Sequence, residues 1–228
     1  MIKITNLVLR WIFIFCIPFM LLTASIGYAA NSLWLYKYSF SEYNVSATTG
    51  ISEEELEKAA RELISYFNSG EEFVDITLEK DGQSFALFTR EEIIHMKDVK
   101  GLFRLDYFIL LGALVYLIGY RVICFLRYGR QYLPQIARDA VWGSGITLAA
   151  ILVLWLGMMV NFDWLFLQFH FLSFTNEFWS ARGYMVMLFP SGFWYDAAVF
   201  CVLFIAAAAV IIGGGAGGYL ILLRKRRL

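Results

Sequence analysis

Four stretches of the chain, residues 8 to 30, 105 to 126, 140 to 161 and 194 to 222, are almost continuously apolar. Each is near the ~20 residues a helix needs to cross the hydrocarbon core of a bilayer. Arg121 interrupts the second stretch, where its long side chain is expected to snorkel toward the membrane surface. Between the first and second stretches the pattern becomes local and mixed. Ser52 and Glu55 have capping-box spacing, Ile51 and Leu56 add a hydrophobic staple, and Leu56, Leu63, Ile64 and Phe67 give the helix that follows one apolar face. The "NSG" at 68 to 70 ends it. Two alternating runs in "FVDITLEKDGQSFALF" meet at Asp81-Gly82 and predict a β-hairpin. Thr89 and Glu92 then repeat the capping-box spacing and open a short helix carrying His95.

These patterns predict an α-helical membrane protein with four transmembrane helices and a small α+β extracytoplasmic cap. The expected divisions are 1-39, the first transmembrane helix and its flanks; 40-103, the cap; 104-161, the second and third helices with a basic cytoplasmic loop; 162-193, an aromatic outer loop; and 194-228, the fourth helix and a basic tail. A cleaved signal peptide over residues 1 to 29 is the rival reading of the first stretch. The apolar run from Trp11 to Ala30 exceeds the roughly 7 to 15 residues of a signal core, so an uncleaved helix is preferred.

Composition agrees: the chain is 60% hydrophobic with a mean hydropathy of +0.62, outside the range of ordinary soluble domains. Nineteen basic and nineteen acidic residues cancel, but they are not mixed. Fourteen acids lie between Glu42 and Asp98, whereas Arg121 to Arg138 and Arg224 to Arg227 supply eight bases accompanied only by Asp139. The positive-inside rule puts those bases, with Lys3 and Arg10, in the cytoplasm and the acidic cap outside, so both termini are expected to be cytoplasmic. The same segregation argues against nucleic-acid binding. Cys16, Cys124 and Cys201 fall inside apolar runs without metal-ligand or disulfide spacing, and read as small packing residues. The small-residue spacings of Gly213 to Gly218 read as a helix-packing surface.

Only two histidines occur, His95 in "EEIIHMKDVKGLF" and His170 in "FLQFHFLSFTNEFW". Each borders an apolar span on the expected outer side, the second within a segment, Phe162 to Tyr195, that holds thirteen aromatics in thirty-four residues. Glu91, Glu92, Asp98 and Val99 share a helix face with His95, so a carboxylate there is expected to hold its ring in one tautomer. An HExxH spacing is absent, so no metal is expected, and there is no GxSxG elbow for a serine hydrolase. The glutamates before His95 resemble the EExxxR pattern of CAAX-type intramembrane proteases, but Met96 stands in the arginine position.

The two histidine motifs, "REEIIHMKDVKGLF" and "FLQFHFLSFTNEFW", resemble those of the lipoprotein intramolecular transacylases of Gram-positive bacteria, once an uncharacterised integral membrane family. The resemblance implies an acyltransferase of the cell membrane that needs no cofactor and takes diacylglyceryl lipoproteins as substrate. It would move the sn-2 acyl chain onto the α-amine of the N-terminal cysteine and give a lyso-form lipoprotein. His95 and His170 would be the acid-base pair at the outer membrane-cap interface. Asp98, Phe169, Asn176 and Trp179 would orient them or bind substrate. The alternative of another class is a non-enzymatic membrane sensor or adaptor with an acidic partner-binding cap. The charge pattern itself makes a test: a cysteine introduced at Ser69 or Gly82 should react with an impermeant thiol reagent on intact cells, and one at Arg130 should not.

Overall fold

In the computed structural model, residues 2–180 and 182–226 are described, with side chains from Leu7 onward. The Lys3 side chain and Arg227, two of the charges behind the expected topology, lie outside the described residues. In chain order the helices are α1 (Ile2–Ala30), α2 (Leu33–Glu42), α3 (Val45–Thr49), α4 (Glu53–Asn68), α5 (Arg90–Tyr128), α6 (Leu133–Ser173), α7 (Tyr184–Leu188) and α8 (Ser191–Lys225). The strands β1 (Thr77–Lys80) and β2 (Gln83–Ala86) lie between α4 and α5. The chain forms two compact units, one from Met1–Ile26, Asp106–Leu156 and Cys201–Leu228, the other from Gly27–Leu105 and Gly157–Phe200.

Among the described residues, three helical runs, Leu7–Ala30, Arg90–Ser173 and Ser191–Lys225, are long and apolar enough to cross a membrane. In the first unit, Val115, Leu126, Val153 and Ile211 point outward and are more than 60% exposed, a surface that lipid accommodates. Inward, Phe13 and Ile17 of α1 pack with Tyr120 and Cys124 of α5 and Ile205 and Ala209 of α8. Gly143 of α6 lets α1 approach closely, since a Cβ there would stand 2.6 Å from the Ile17 side chain and 2.8 Å from the Ile14 carbonyl oxygen. Of the described small residues expected to pack at 213–218, Gly213 does so, 2.9 Å from Ser144 by the same measure. Gly214, Gly215, Gly217 and Gly218 have open space where a side chain would project.

The second unit is built on the local signals. Ser52 caps α4 by accepting from the Glu55 N–H at 3.3 Å, and the staple residues Ile51 and Leu56 are fully buried. The Glu55 carboxylate reaches away, accepting from the Glu79 N–H at 2.8 Å, and so ties α4 to β1. β1 and β2 pair antiparallel with Lys80 opposite Gln83. Asp81 and Gly82 between them have φ of +54° and +75°, the pair of positive values that a two-residue type I′ turn requires. Leu56, Leu63, Leu78, Leu87, Met96 and Leu188 lie in one core. α8 joins it through its start: Tyr43 donates to Asp196 at 2.8 Å, and its ring fills the space a Cβ on Gly192 would take.

Three features depart from the sequence pattern. α2 begins in residues read only as flanks and α3 falls in the cap where no helix was predicted; their buried faces are Leu35, Tyr36, Ser39 and Phe40 in one and Val45 and Thr49 in the other. The helix carrying His95 is not short but the beginning of α5, which is 39 residues long. The first third of the aromatic segment is helical, because α6 continues to Ser173 beyond a break at Asn161 (φ −163°, ψ 91°).

Among the described residues of the first unit, the ion pair of Arg10 with Asp139 is buried on its acidic side and makes a measurable contribution. Asp139 is fully buried and accepts from Arg10 at 2.8 Å and from Gln135 at 2.9 Å. Removing the cation strands a buried carboxylate, so Arg10→Met should cost about 3 kcal/mol, whereas replacing both partners should recover most of that loss. Thermal unfolding in detergent of Arg10→Met, Asp139→Leu and the double variant checks this.

Candidate active site

His95 sits in the second turn of α5, and the start of that helix is fixed by a reciprocal capping box. The Thr89 hydroxyl accepts from the Glu92 N–H at 3.3 Å, and the Glu92 carboxylate accepts from the Thr89 N–H at 2.9 Å. The other oxygen of Glu92 accepts from the Met185 N–H at 2.8 Å, so one fully buried carboxylate joins α5 to α7. Gly183 makes room for it: a Cβ there would stand 2.3 Å from that oxygen. Thus the helix register of His95 and the path of the chain after the aromatic segment are set by one side chain.

His170 lies in the last turn of α6 and is as buried as His95, 6% against 5% exposed. Its ring is caged by Phe166, Phe169, Phe174 and Trp179, with centroids 4.3, 5.5, 5.4 and 5.0 Å away. Phe174 also meets His95 edge-on at 4.7 Å. The two imidazoles themselves lie 6.2 Å apart, centroid to centroid, inclined by 27°.

The surroundings decide their charge. Burial, reinforced by the proximity of His170 and opposed by the Asp98 charge, pulls the His95 pKa down to about 4. Burial also lowers the His170 pKa, against a hydrogen bond to the Phe166 carbonyl that raises it. Both effects favour neutral rings near pH 7. The His170 Nδ1 lies 2.7 Å from the Phe166 oxygen, and a carbonyl only accepts, so Nδ1 carries the hydrogen and Nε2 keeps the lone pair. The His95 Nδ1 is buried without a hydrogen-bond partner, an arrangement native structures seldom leave unexplained.

The remaining residues singled out in the sequence fall around this pair. Asp98 influences His95 through its charge, but its carboxylate accepts from the Asn176 amide at 2.8 Å, which links α5 to the segment after α6. The Asn176 Oδ1 accepts from the Phe178 N–H at 3.0 Å and shapes the turn leading to Trp179. Trp179 packs on His170, and Phe169, half exposed, meets it edge-on. Sequence reasoning missed Phe166 and Phe174 as cage residues, although both lie four residues from His170, the helical spacing that puts side chains on one face. It read Glu92 as a cap, with no local signal for its bond to Met185. Among the described residues, no group of three or more His, Cys, Asp or Glu side chains is placed to hold a metal ion.

A family model described as lipoprotein intramolecular transacylase Lit matches residues 11–194. Among solved structures, the chain resembles the membrane-integral lipoprotein intramolecular transacylase Lit from Bacillus cereus. The two share 19% identity with a TM-score of 0.79, covering 99% of this chain and 99% of that one. A variant of the same protein with a histidine replaced by arginine matches at 17% identity and a TM-score of 0.76, covering 99% and 96%. A second, with a histidine replaced by alanine, matches at 18% and 0.75, covering 98% and 97%. At such identities the likeness shows the fold. No curated protein matches the chain.

Stability should carry the signature of the buried neutral imidazole. His95 titrates near 4 when folded and near 6.5 in the unfolded chain, so between those values the unfolded state binds more protons. Its contribution to stability should be complete above about pH 6.5 and be lost as the pH falls toward 4. Thermal unfolding in detergent over this range should show that decline, with a shallower slope in His95→Phe.

Proposed function

The chain belongs to the lipoprotein intramolecular transacylase family, whose model spans residues 11–194, and we propose that it transfers the sn-2 acyl chain of a diacylglyceryl lipoprotein to the α-amine of the N-terminal cysteine. It is an acyltransferase of the membrane. That assignment displaces the sensor or adaptor alternative. The observation that carries the finer reading is the pair of buried, neutral imidazoles 6.2 Å apart inside an aromatic cage.

The chemistry is aminolysis of an ester within one molecule. The amine nitrogen attacks the sn-2 carbonyl carbon, closing a medium ring through Cα, Cβ, the thioether sulfur, two glyceryl carbons and the ester oxygen. The carbon–nitrogen bond forms, the bond from that carbon to the glyceryl oxygen breaks, and one proton passes from nitrogen to oxygen. Medium rings close reluctantly, so the first demand on the protein is positioning. The aromatic walls around His170 suit a folded glyceryl-thioether, and they exclude water that would otherwise hydrolyse the ester.

The second demand is proton management. The lone pair on the His170 Nε2, left free by the Nδ1 bond to Phe166, takes the proton of the attacking amine. His95 gives a proton to the departing glyceryl oxygen, and its unpartnered Nδ1 supports a site completed by substrate. A shared cage lets the two rings exchange that proton afterwards and return to the neutral state. Asp98 and Asn176 hold the turn that brings Trp179 onto His170.

We read the membrane part as four spans with both termini cytoplasmic. The 84-residue run Arg90–Ser173 holds α5 and α6, each long enough to cross once. Gly129, with φ +63°, begins the turn between them, in the basic stretch.

Purified protein should convert a diacylglyceryl lipopeptide to an isomer of unchanged mass whose α-amine is blocked, with no ATP or added phospholipid and in the presence of EDTA. Loss of a fatty-acid mass would make it a hydrolase, and a requirement for zinc would give the metal the role assigned to the histidines. His95→Asn and His170→Asn should each slow conversion by about 10²-fold or more while folding is retained. The double variant should lose much less than the product of the two, as groups serving one transition state do. A well-folded His170→Asn protein of near-normal rate would overturn the mechanism.

A further inference from the structure

The reaction just described consumes an amine and an ester that both belong to one cysteine, but that cysteine's carbonyl continues into a whole protein. Its first residues have to leave the reacting centre by a path that is neither lipid nor aromatic cage. The second unit contains one such path: a cleft of about 390 Å³ bounded by Asp98 and Phe174 and extending past Gly101 to Glu71 and Glu72. Phe174 is the ring that touches both histidines, so the cleft begins at the wall of the cage. We propose that this cleft holds the residues that follow the lipidated cysteine, a proposal that rests on the acyl-transfer reading.

The lining selects this occupant. An acyl chain would require apolar walls, and here the walls include Glu71, Glu72, Lys97 and the hydroxyl residues Ser173 and Thr175. An anionic headgroup would require an excess of cations, whereas Lys97, Lys100 and Arg104 in the lining are matched by Glu71, Glu72 and Asp98, and Lys97 is ion-paired with Glu72. Lys100 is 2% exposed and spends its donors on the Ser69 hydroxyl at 3.0 Å and the Glu71 carbonyl at 2.7 Å, lying 4.0 Å over the Tyr66 ring. What remains is a mixture of donors and acceptors suited to peptide N–H and C=O groups of any sequence. The volume, near the lower end of the roughly 300 to 1,000 Å³ typical of ligand sites, suits a short extended segment.

Gly101 gives the cleft its openness. It lies inside α5, where glycine is disfavoured relative to alanine, and a Cβ on it would meet nothing within 4 Å. A side chain introduced there starts into open space beside the cleft. Thr175, exposed on the segment after α6, also lines the cleft.

The test uses the full-length protein in detergent with a diacylglyceryl-cysteine amide and with lipopeptides extended by one to four neutral residues. KM should fall by about 10-fold as the peptide lengthens, with little change in kcat, as expected for binding that does not discriminate the transition state. Gly101→Trp should abolish that dependence while converting the minimal amide at a kcat within about twofold of the unsubstituted protein. Thr175→Trp should behave likewise, which guards against misfolding of the first variant. A KM independent of length, or unaffected by both substitutions, overturns the proposal, as does equal loss on short and long substrates. If added anionic phospholipid competes with every substrate and Gly101→Trp removes the competition, the cleft is a headgroup site and the peptide assignment fails. No conversion of any substrate by the unsubstituted protein sinks the acyl-transfer reading and this one with it.

Discussion

A fully buried carboxylate organises the part of the second unit around His95. Glu92 is fully buried, and burying an ionised group in apolar surroundings is costly unless hydrogen bonds replace the lost water. Here they come from the Thr89 and Met185 N–H groups, the first at the N-terminus of α5, where the helix dipole also favours negative charge. Because the two donors lie on segments distant in sequence, satisfying the charge means bringing those segments together. Gly183 is the concession made to that arrangement, since any side chain would occupy the oxygen's position. His95, three residues along the same helix, inherits its placement.

The second physical theme is confinement by rings rather than by charges. His170 touches four aromatic side chains, and Asp98, three residues after His95, is engaged by Asn176. In many enzymes a carboxylate fixes a histidine's tautomer; here the Phe166 backbone carbonyl does so for His170. A carboxylate in that place would stabilise imidazolium, whereas the dry cage penalises it. A neutral imidazole can accept a proton at one nitrogen and give one from the other.

What could be read along the chain was what is decided locally. The caps at Ser52 and Thr89, the Asp81-Gly82 turn and the long apolar stretches depend on residues a few positions apart, and each recurs in the structure. α2 escaped notice because Tyr36, Tyr38 and Phe40 alternate with Lys37, Ser39 and Ser41 in a pattern closer to a strand's, and burial of Leu35, Tyr36 and Phe40 decides otherwise. Asp98 was visible as a charge beside His95, but its choice of Asn176, 78 positions away, is a tertiary fact. The bond from Glu92 to Met185, spanning 93 positions, left no trace in either local sequence. The histidine pair was legible because each ring flanks an apolar stretch on the same expected side.

The interruption of α6 at Asn161 is also a boundary of cooperativity. The Asn161 side chain accepts from the Trp164 N–H at 2.9 Å, so the segment that follows starts with a cap of its own instead of borrowing the hydrogen-bond ladder behind it. A helix propagates order only through that ladder, and where the ladder is cut, fraying on one side need not spread to the other. The turns bearing His170 therefore belong to a ladder of their own, and their order depends on the rings packed against them rather than on the turns before Asn161.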